Sequence, residues 1–466
     1  MCQRTQRSGI ILIIIAAVFL FTTMSVVADC RTDVRVNDDI GEEGQAIGAE
    51  KTAVVIRDDI VYAVWQDWRN VSDNLQPDIY FAKGTIGEEG NATFGDNVMV
   101  NDISHSPLND KPSAPAMAVG EDGIIYVVWT DMRNIDNQLE GVDVYLSRST
   151  NDGSSFETNQ LIGSTTGGSG AASIAVSGSH VYVVYEHCCD PANNVLDFVV
   201  SSDNGQSFSP LETIYIPSEG ENGAGQPVID AEGSKVYVAF LLKTVDYANQ
   251  IAVMISNDYG ATFSDPVIIN DDEGDYTQAS VSIDVSGDYV YLSWHDFRVP
   301  VGIYFSVSTD GGESFSANQL IAETGSTLPN PVISAHDQKV AISYCGGHEG
   351  IYGFVVLTKI SKDGGDTWGN ASIVSDADVS RSGIGPSAVS VCEDKIGYLW
   401  IDSRGTWDEN VYFDWCDFLA TENGNGNGNG DGDTPTTPKT PGFEIITLMA
   451  AIAIALIIIR RKKQSF

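Results

Sequence analysis

Between Asp288 and Phe315 the chain alternates, breaks, alternates again and turns (DYVYLSWHDFRVPVGIYFSVSTDGGESF). Tyr289, Tyr291 and Ser293 interleave with Val290, Leu292 and Trp294, the period of two that a β-strand imposes on its two faces. Trp294-His295-Asp296-Phe297-Arg298 leaves that strand as a loop. Ile303 to Val307 forms a second strand, and Ser308 to Phe315 closes the unit with a tight turn.

The unit recurs. A turn of the form S-x-D-x-G-x-x-aromatic stands at Ser201–Phe208, Ser256–Phe263, Ser308–Phe315 and Ser361–Trp368, and at Ser149–Phe156 with Asn151 in the Asp position. Its serines are 52, 55, 52 and 53 residues apart. A fixed period of this size with strand patterning predicts a β-propeller. In the turn, Asp or Asn accepts nearby backbone N–H groups and Gly takes the positive φ.

The strand before the loop ends in Trp65, Trp129, Tyr185, Phe240, Trp294, Tyr344 and Trp400, which counts seven blades. The first carries a degenerate turn, Gly84 to Phe94, and the last, near Pro386 to Phe418, lacks its fourth strand. Asp33-Val34-Arg35-Val36-Asn37-Asp38 matches the fourth strand Asn97-Val98-Met99-Val100-Asn101-Asp102. The expectation is therefore an all-β, seven-bladed propeller of four-stranded blades, with the N-terminal strand closing the last blade and removing the open edges. That closure makes neighbours of Cys30 and Cys416 and predicts a disulfide between them.

The turn resembles the Asp box (BNR repeat) of sialidase-like propellers, over about Arg31 to Phe418. The resemblance implies that the boxes lie at the blade rim, away from the active face, and stabilise the blades. It also implies a ring of Arg at the opposite mouth to hold a sugar carboxylate. Trp65-x-Asp67-x-Arg69, Trp129-x-Asp131-x-Arg133, Trp294-x-Asp296-x-Arg298 and Trp400-x-Asp402-x-Arg404 occupy that face. Arg suits a carboxylate, but an Asp and Arg repeated in this way also suit each other, as a pair that fixes the loop.

The repeat breaks at Glu186-His187-Cys188-Cys189-Asp190 and at Cys345-Gly346-Gly347-His348-Glu349, and His295 adds a third loop-face histidine. Broken repeats are candidate functional places. Three departures from sialidases count against hydrolysis. Sialidases are six-bladed, and their Arg-Ile-Pro segment is missing here. No Tyr–Glu nucleophile pair can be assigned, although Glu186 and Glu349 lie on the right kind of loop. The leading reading is a cell-surface propeller that binds envelope glycans or surface proteins. The alternatives are a sialidase-type glycoside hydrolase and a structural surface-layer protein.

The ends set the compartment. Arg4 and Arg7 precede the apolar run Ile10 to Phe21, followed by Val26-Val27-Ala28, the pattern of a signal peptide over residues 1–28. The propeller takes 29–420, and an Asn-Gly then Thr/Pro linker takes 421–440. Residues 441–466 combine Pro441-Gly442-Phe443, an apolar run Ile445 to Ile459 of 15 residues, and Arg460-Arg461-Lys462-Lys463. This resembles the archaeal PGF sorting signal, which implies an archaeal source, processing by an archaeosortase and attachment to a lipid. The plain alternative is a membrane anchor, and either places the protein outside the cell. Export permits disulfides. Cys188 and Cys189 are open to a vicinal disulfide or to two free thiols, and the states of Cys345 and Cys392 are likewise open. Asn70, Asn91 and Asn370 begin glycosylation sequons. With 64 Asp+Glu against 25 Lys+Arg, a net charge of −39, the surface repels nucleic acid and suits loosely held divalent cations such as calcium.

Overall fold

The computed structural model describes residues 30–38, 52–69, 77–87, 90–102, 113–133, 142–164, 169–188, 194–245, 249–272, 276–324, 329–347, 354–375, 388–402 and 410–418. The chain divides into two compact units, Met1–Glu422 and Asn423–Phe466. The signal-peptide, linker and sorting-signal segments lie outside the described residues. No helix among the described residues is long and apolar enough to cross a membrane.

Every regular element described is a strand, and the strands form antiparallel four-stranded blades. In the blade of the opening motif, Gln278–Ser286, Tyr289–Asp296, Gly302–Ser308 and Gln319–Glu323 pair in chain order. The sequence pattern counts seven such groups, whereas hydrogen bonding separates six sheets. The difference has a local cause. Strand Glu221–Glu232 runs far enough to bridge Asn194 at Gly223, which fuses the Tyr185 and Phe240 groups into one eight-stranded sheet.

The core lies between blades. Trp65 and Tyr80 pack with Leu399, Ile401 and Phe413, while Tyr62, Val64 and Phe81 pack with Val127, Trp129 and Tyr145. Trp65, Trp129, Trp294 and Trp400 are fully buried. Each large apolar side chain buried in this way contributes about 1.5–3 kcal/mol.

The repeated turns act across the same gaps. In Ser308–Phe315, Ser308 Oγ donates to Asp310 Oδ1 at 2.7 Å and accepts Gly312 N at 2.8 Å, and Asp310 Oδ1 accepts Ser314 N at 2.9 Å. These bonds hold the exposed Asp310 carboxyl below its usual range, at about 2. Gly312 has φ +93° and its bare Cα faces Ile255 of the preceding blade. Gly153 faces Phe81, Gly260 faces Phe198 and Gly365 faces Phe305 in the same way.

The innermost strands are laced side chain to backbone. Asp230 Oδ2 accepts Val285 N at 2.7 Å, and Ser282 Oγ accepts Ile333 N at 3.2 Å. Ser334 Oγ accepts Val391 N at 3.0 Å, and Ser390 Oγ accepts Ile56 N at 3.0 Å, joining the C-terminal blade to the first. Strand Val34–Arg35 pairs antiparallel with Asn410–Asp417 in the register Val34–Phe413 and Arg35–Tyr412. Cys30 and Cys416 are disulfide-bonded. The degenerate turn of the first blade serves this seam: Gly90 O accepts Trp415 Nε1 at 3.0 Å, and Arg31 covers that indole.

Candidate functional site

The Trp-x-Asp-x-Arg loops build one device three times. Trp65 Nε1 donates to Asp67 Oδ2 at 2.8 Å, and Arg69 N donates to Asp67 Oδ1 at 2.8 Å. The Arg69 guanidinium lies over the Tyr80 ring, 4.0 Å from its centroid. It donates to Asp67, to Asp38 at 2.5 Å and to Asn97 at 2.8 Å. Asp38 follows the fourth strand of the neighbouring blade, and Asn97 precedes the fourth strand of its own. Asp38 and Asn97 also exchange backbone-to-side-chain bonds, each of 2.9 Å.

Arg133 repeats this with Asp131, Asp102, Asn159 and Tyr145. Arg298 does so with Asp296, Asp271, Asn318 and Tyr304. The three Arg side chains keep only 11, 7 and 14 % of their surface exposed, and their Asp partners on the loop keep none. Burial would lower the Arg298 guanidinium, but the bonds to Asp296 and Asp271 outweigh it and raise it. These residues latch adjacent blades, so their guanidinium groups are already engaged. In the fourth copy Asp402 is buried, and Trp400 Nε1 is buried without a hydrogen-bond partner among the described residues. Arg404 lies outside them.

At Tyr185 the latch is rebuilt. His187 stands where the four Trp-x-Asp-x-Arg blades carry Asp, and Asp197 stands where they carry the stacked Tyr. His187 Nδ1 and Asp197 Oδ2 are 2.7 Å apart, and Thr213 Oγ1 donates to Asp197 Oδ1 at 2.7 Å. Glu186 points the other way, across the gap. Its Oε1 meets Lys243 Nζ at 2.8 Å and Asn194, and its Oε2 accepts Gln226 N at 3.3 Å.

From Gln226 a polar belt continues around the mouth. Gln226 Oε1 accepts Ser280 N at 3.1 Å, and Ser280 Oγ donates to Asn330 Oδ1 at 2.9 Å. Gln226, Ser280 and Asn330 all have positive φ, at 49°, 54° and 44°. Gln226 and Ser280 fall where the register of the innermost strand slips, which turns their side chains toward the mouth.

His295, on another blade from His187, is fully buried with both ring nitrogens unpartnered among the described residues, and its ring packs 4.3 Å from Phe297. Burial lowers its pKa and keeps it neutral. Cys345 is buried. Among the described residues no group of three or more His, Cys, Asp or Glu is placed to hold a metal ion. Asn91 and Asn370 are exposed, while Asn70, Cys189, Asp190, His348, Glu349, Pro441, Gly442 and Phe443 lie outside the described residues. Sequence reading missed Lys243, Gln226, Ser280, Asn330 and Asp197. A signal was present for two of them: Gln226 and Asn330 each precede a proline, Pro227 inside one innermost strand and Pro331 just before another.

No protein-family model matches the chain, and no curated protein matches it. Solved structures do. The polysaccharide lyase Uly1 superposes with a TM-score of 0.55 at 9 % identity, over 81 % of this chain and 92 % of that one. A PL25 ulvan lyase bound to a GlcA(1-4)Rha3S unit superposes at 0.53 with 13 % identity, over 82 % and 95 %. The NanB sialidase of Streptococcus pneumoniae gives 0.42 at 14 % identity, over 81 % and 70 %. At such identities the likeness to the two lyases defines the fold alone, an all-β propeller with four-stranded blades.

Proposed function

We propose that this is an exported, surface-anchored propeller that binds envelope glycans, or the proteins that carry them, at its loop face. The carrying observation is the pairing of the polar belt with exposed apolar side chains on that face. Tyr276, Val245, Val299 and Phe354 are 42, 49, 81 and 40 % exposed, all on loops or strand ends at the mouth side of three consecutive blades. Polar groups that fix orientation beside aromatic surface are what a sugar-binding site offers. The lyase and sialidase names of the structural neighbours agree with a carbohydrate partner.

In this reading the ring has seven blades, the signal peptide exports the chain, and the Pro441-Gly442-Phe443 segment directs an archaeosortase to exchange the tail for a lipid. Calcium taken up by the acidic surface would bind loosely and from outside. A glycan array probed with the full chain tests the function, and failure to bind any glycan would sink it.

A second reading, a glycan-cleaving enzyme of sialidase type, draws on the Thr213–Asp197–His187 relay, since a carboxylate-oriented imidazole is a proton-transfer arrangement. Turnover of an aryl sialoside, lost on changing His187 to Gln, would promote it.

A further inference from the structure

We infer that Asn91, at the end of the first blade away from the mouth, is a glycosylation site that the folded protein presents complete, whereas folding closes the sequon at Asn370. The inference rests on the export in the reading above and not on its glycan binding.

A transferase must reach two groups of an Asn-x-Ser/Thr sequon, the amide that takes the sugar and the hydroxyl two residues on. In an extended chain, residues two apart share a face. Asn91-Ala92-Thr93 meets that condition. Ala92–Phe94 is an edge strand that pairs, among the described residues, with Asp78–Ile86. Ala92 is 5 % exposed and sits in the core, where Phe94 lies edge-on to Phe413. Asn91 and Thr93 alternate with them and are exposed. Neither side chain is hydrogen-bonded among the described residues. The backbone around them is fixed, since Gly87 N donates to Asn91 O at 3.0 Å and Gly90 O accepts Trp415 Nε1 at 3.0 Å.

Asn370-Ala371-Ser372 is presented differently. Asn370 is exposed, but Ser372 is 8 % exposed and pairs with Thr358, which is 1 % exposed. Amide and hydroxyl are thus split between the surface and the blade interior.

The donor is an oligosaccharide carried on a lipid phosphate. Asn91 Nδ2 forms a bond to its anomeric carbon, and the bond from that carbon to the phosphate oxygen breaks. The electron pair leaves with the lipid phosphate, and one amide proton goes to a base of the transferase. Asp78–Ile86 runs from the loop face, where Asp78 pairs with Asp67, to this turn. A glycan on Asn91 therefore leaves the mouth open and stands beside the seam at Trp415.

The test treats the folded full chain, and separately its own protease digest, with an oligosaccharyltransferase and a lipid-linked oligosaccharide, then maps peptides by mass. The folded chain should gain sugar on Asn91 and not on Asn370, and the digest should gain it on both. Thr93→Val keeps a β-branched side chain suited to the strand and should lose the sugar, whereas Thr93→Ser should keep it. Protein taken from its own cell envelope should carry a glycan on Asn91. A folded chain bare at Asn91, or modified equally at Asn370, overturns the inference. So does envelope protein that lacks residues 1–28 yet is bare at Asn91. A chain that retains residues 1–28 overturns export itself.

Discussion

Arg69 Nη1 lies 2.5 Å from Asp38 Oδ1, across the seam where the N-terminal strand meets the first blade. The same bond ties Arg133 to Asp102 and Arg298 to Asp271. A motif that reads as a ring of ligand-seeking arginines is, in three dimensions, a set of inter-blade latches.

If so, breaking a latch should act on stability. Arg298→Ala strands Asp296, which is fully buried, and removing one partner of a buried pair costs about 3–5 kcal/mol. Urea unfolding should show a loss of that order. A variant as stable as the native chain would mean the guanidinium is held for something other than stability.

The Cys30–Cys416 disulfide closes a sequence separation of 386 residues. On the chain-entropy view its reduction should cost about 4–5 kcal/mol. Thermal unfolding of native protein and Cys416→Ser, with and without reductant, measures this. The native protein should lose that stability in reductant, and Cys416→Ser should lack it from the start.

Gly312 and Gly178 both have positive φ, at +93° and +56°. Their surroundings differ: a Cβ at Gly312 would strike Ile255, whereas one at Gly178 meets open space. Gly312→Ala should therefore cost about 2–3 kcal/mol and Gly178→Ala about 1 kcal/mol, the strain without the clash. Equal losses would show that the repeated turns do not seat against the preceding blade.

Two acids on the innermost strands set a pH dependence. Burial pushes the Asp230 carboxyl up to about 7, and burial together with Asp230 raises Asp284 well above its usual value. A carboxyl raised in the folded state stabilises fully below its unfolded value, near 3.9, and that contribution is lost as pH rises through the folded one. Asp38, Asp271 and Asp363 are lowered and lose their contribution as pH falls through the carboxylate range. The melting temperature should thus be highest near about pH 4 and fall as pH rises toward about 7. Asp284→Asn, which cannot ionise, should flatten the fall on the alkaline side.

The C-terminal reading is checked by intact mass. Replacing Pro441-Gly442-Phe443 with alanines should leave Ile445 to Phe466 on the mature protein, and the native protein should lack it. Native protein that retains the segment would make the run an ordinary anchor.

By itself the sequence determined the repeat, the turn and the closure of the ring. Strand alternation and turn chemistry are local, and a period of about 50 residues (52 between Ser149 and Ser201) shows plainly in one chain. It also exposed the broken repeat at Glu186 and His187. Only the tertiary structure decided what the loop-face side chains touch. Arg69 and Asp38 are 31 residues apart, and Glu186 and Lys243 are 57 apart. No local pattern distinguishes an arginine waiting for a ligand from one already bound to the next blade. The mouth was hidden for the same reason: Gln226, Ser280 and Asn330 meet only because three innermost strands, each bent where its backbone turns to positive φ, converge on one axis.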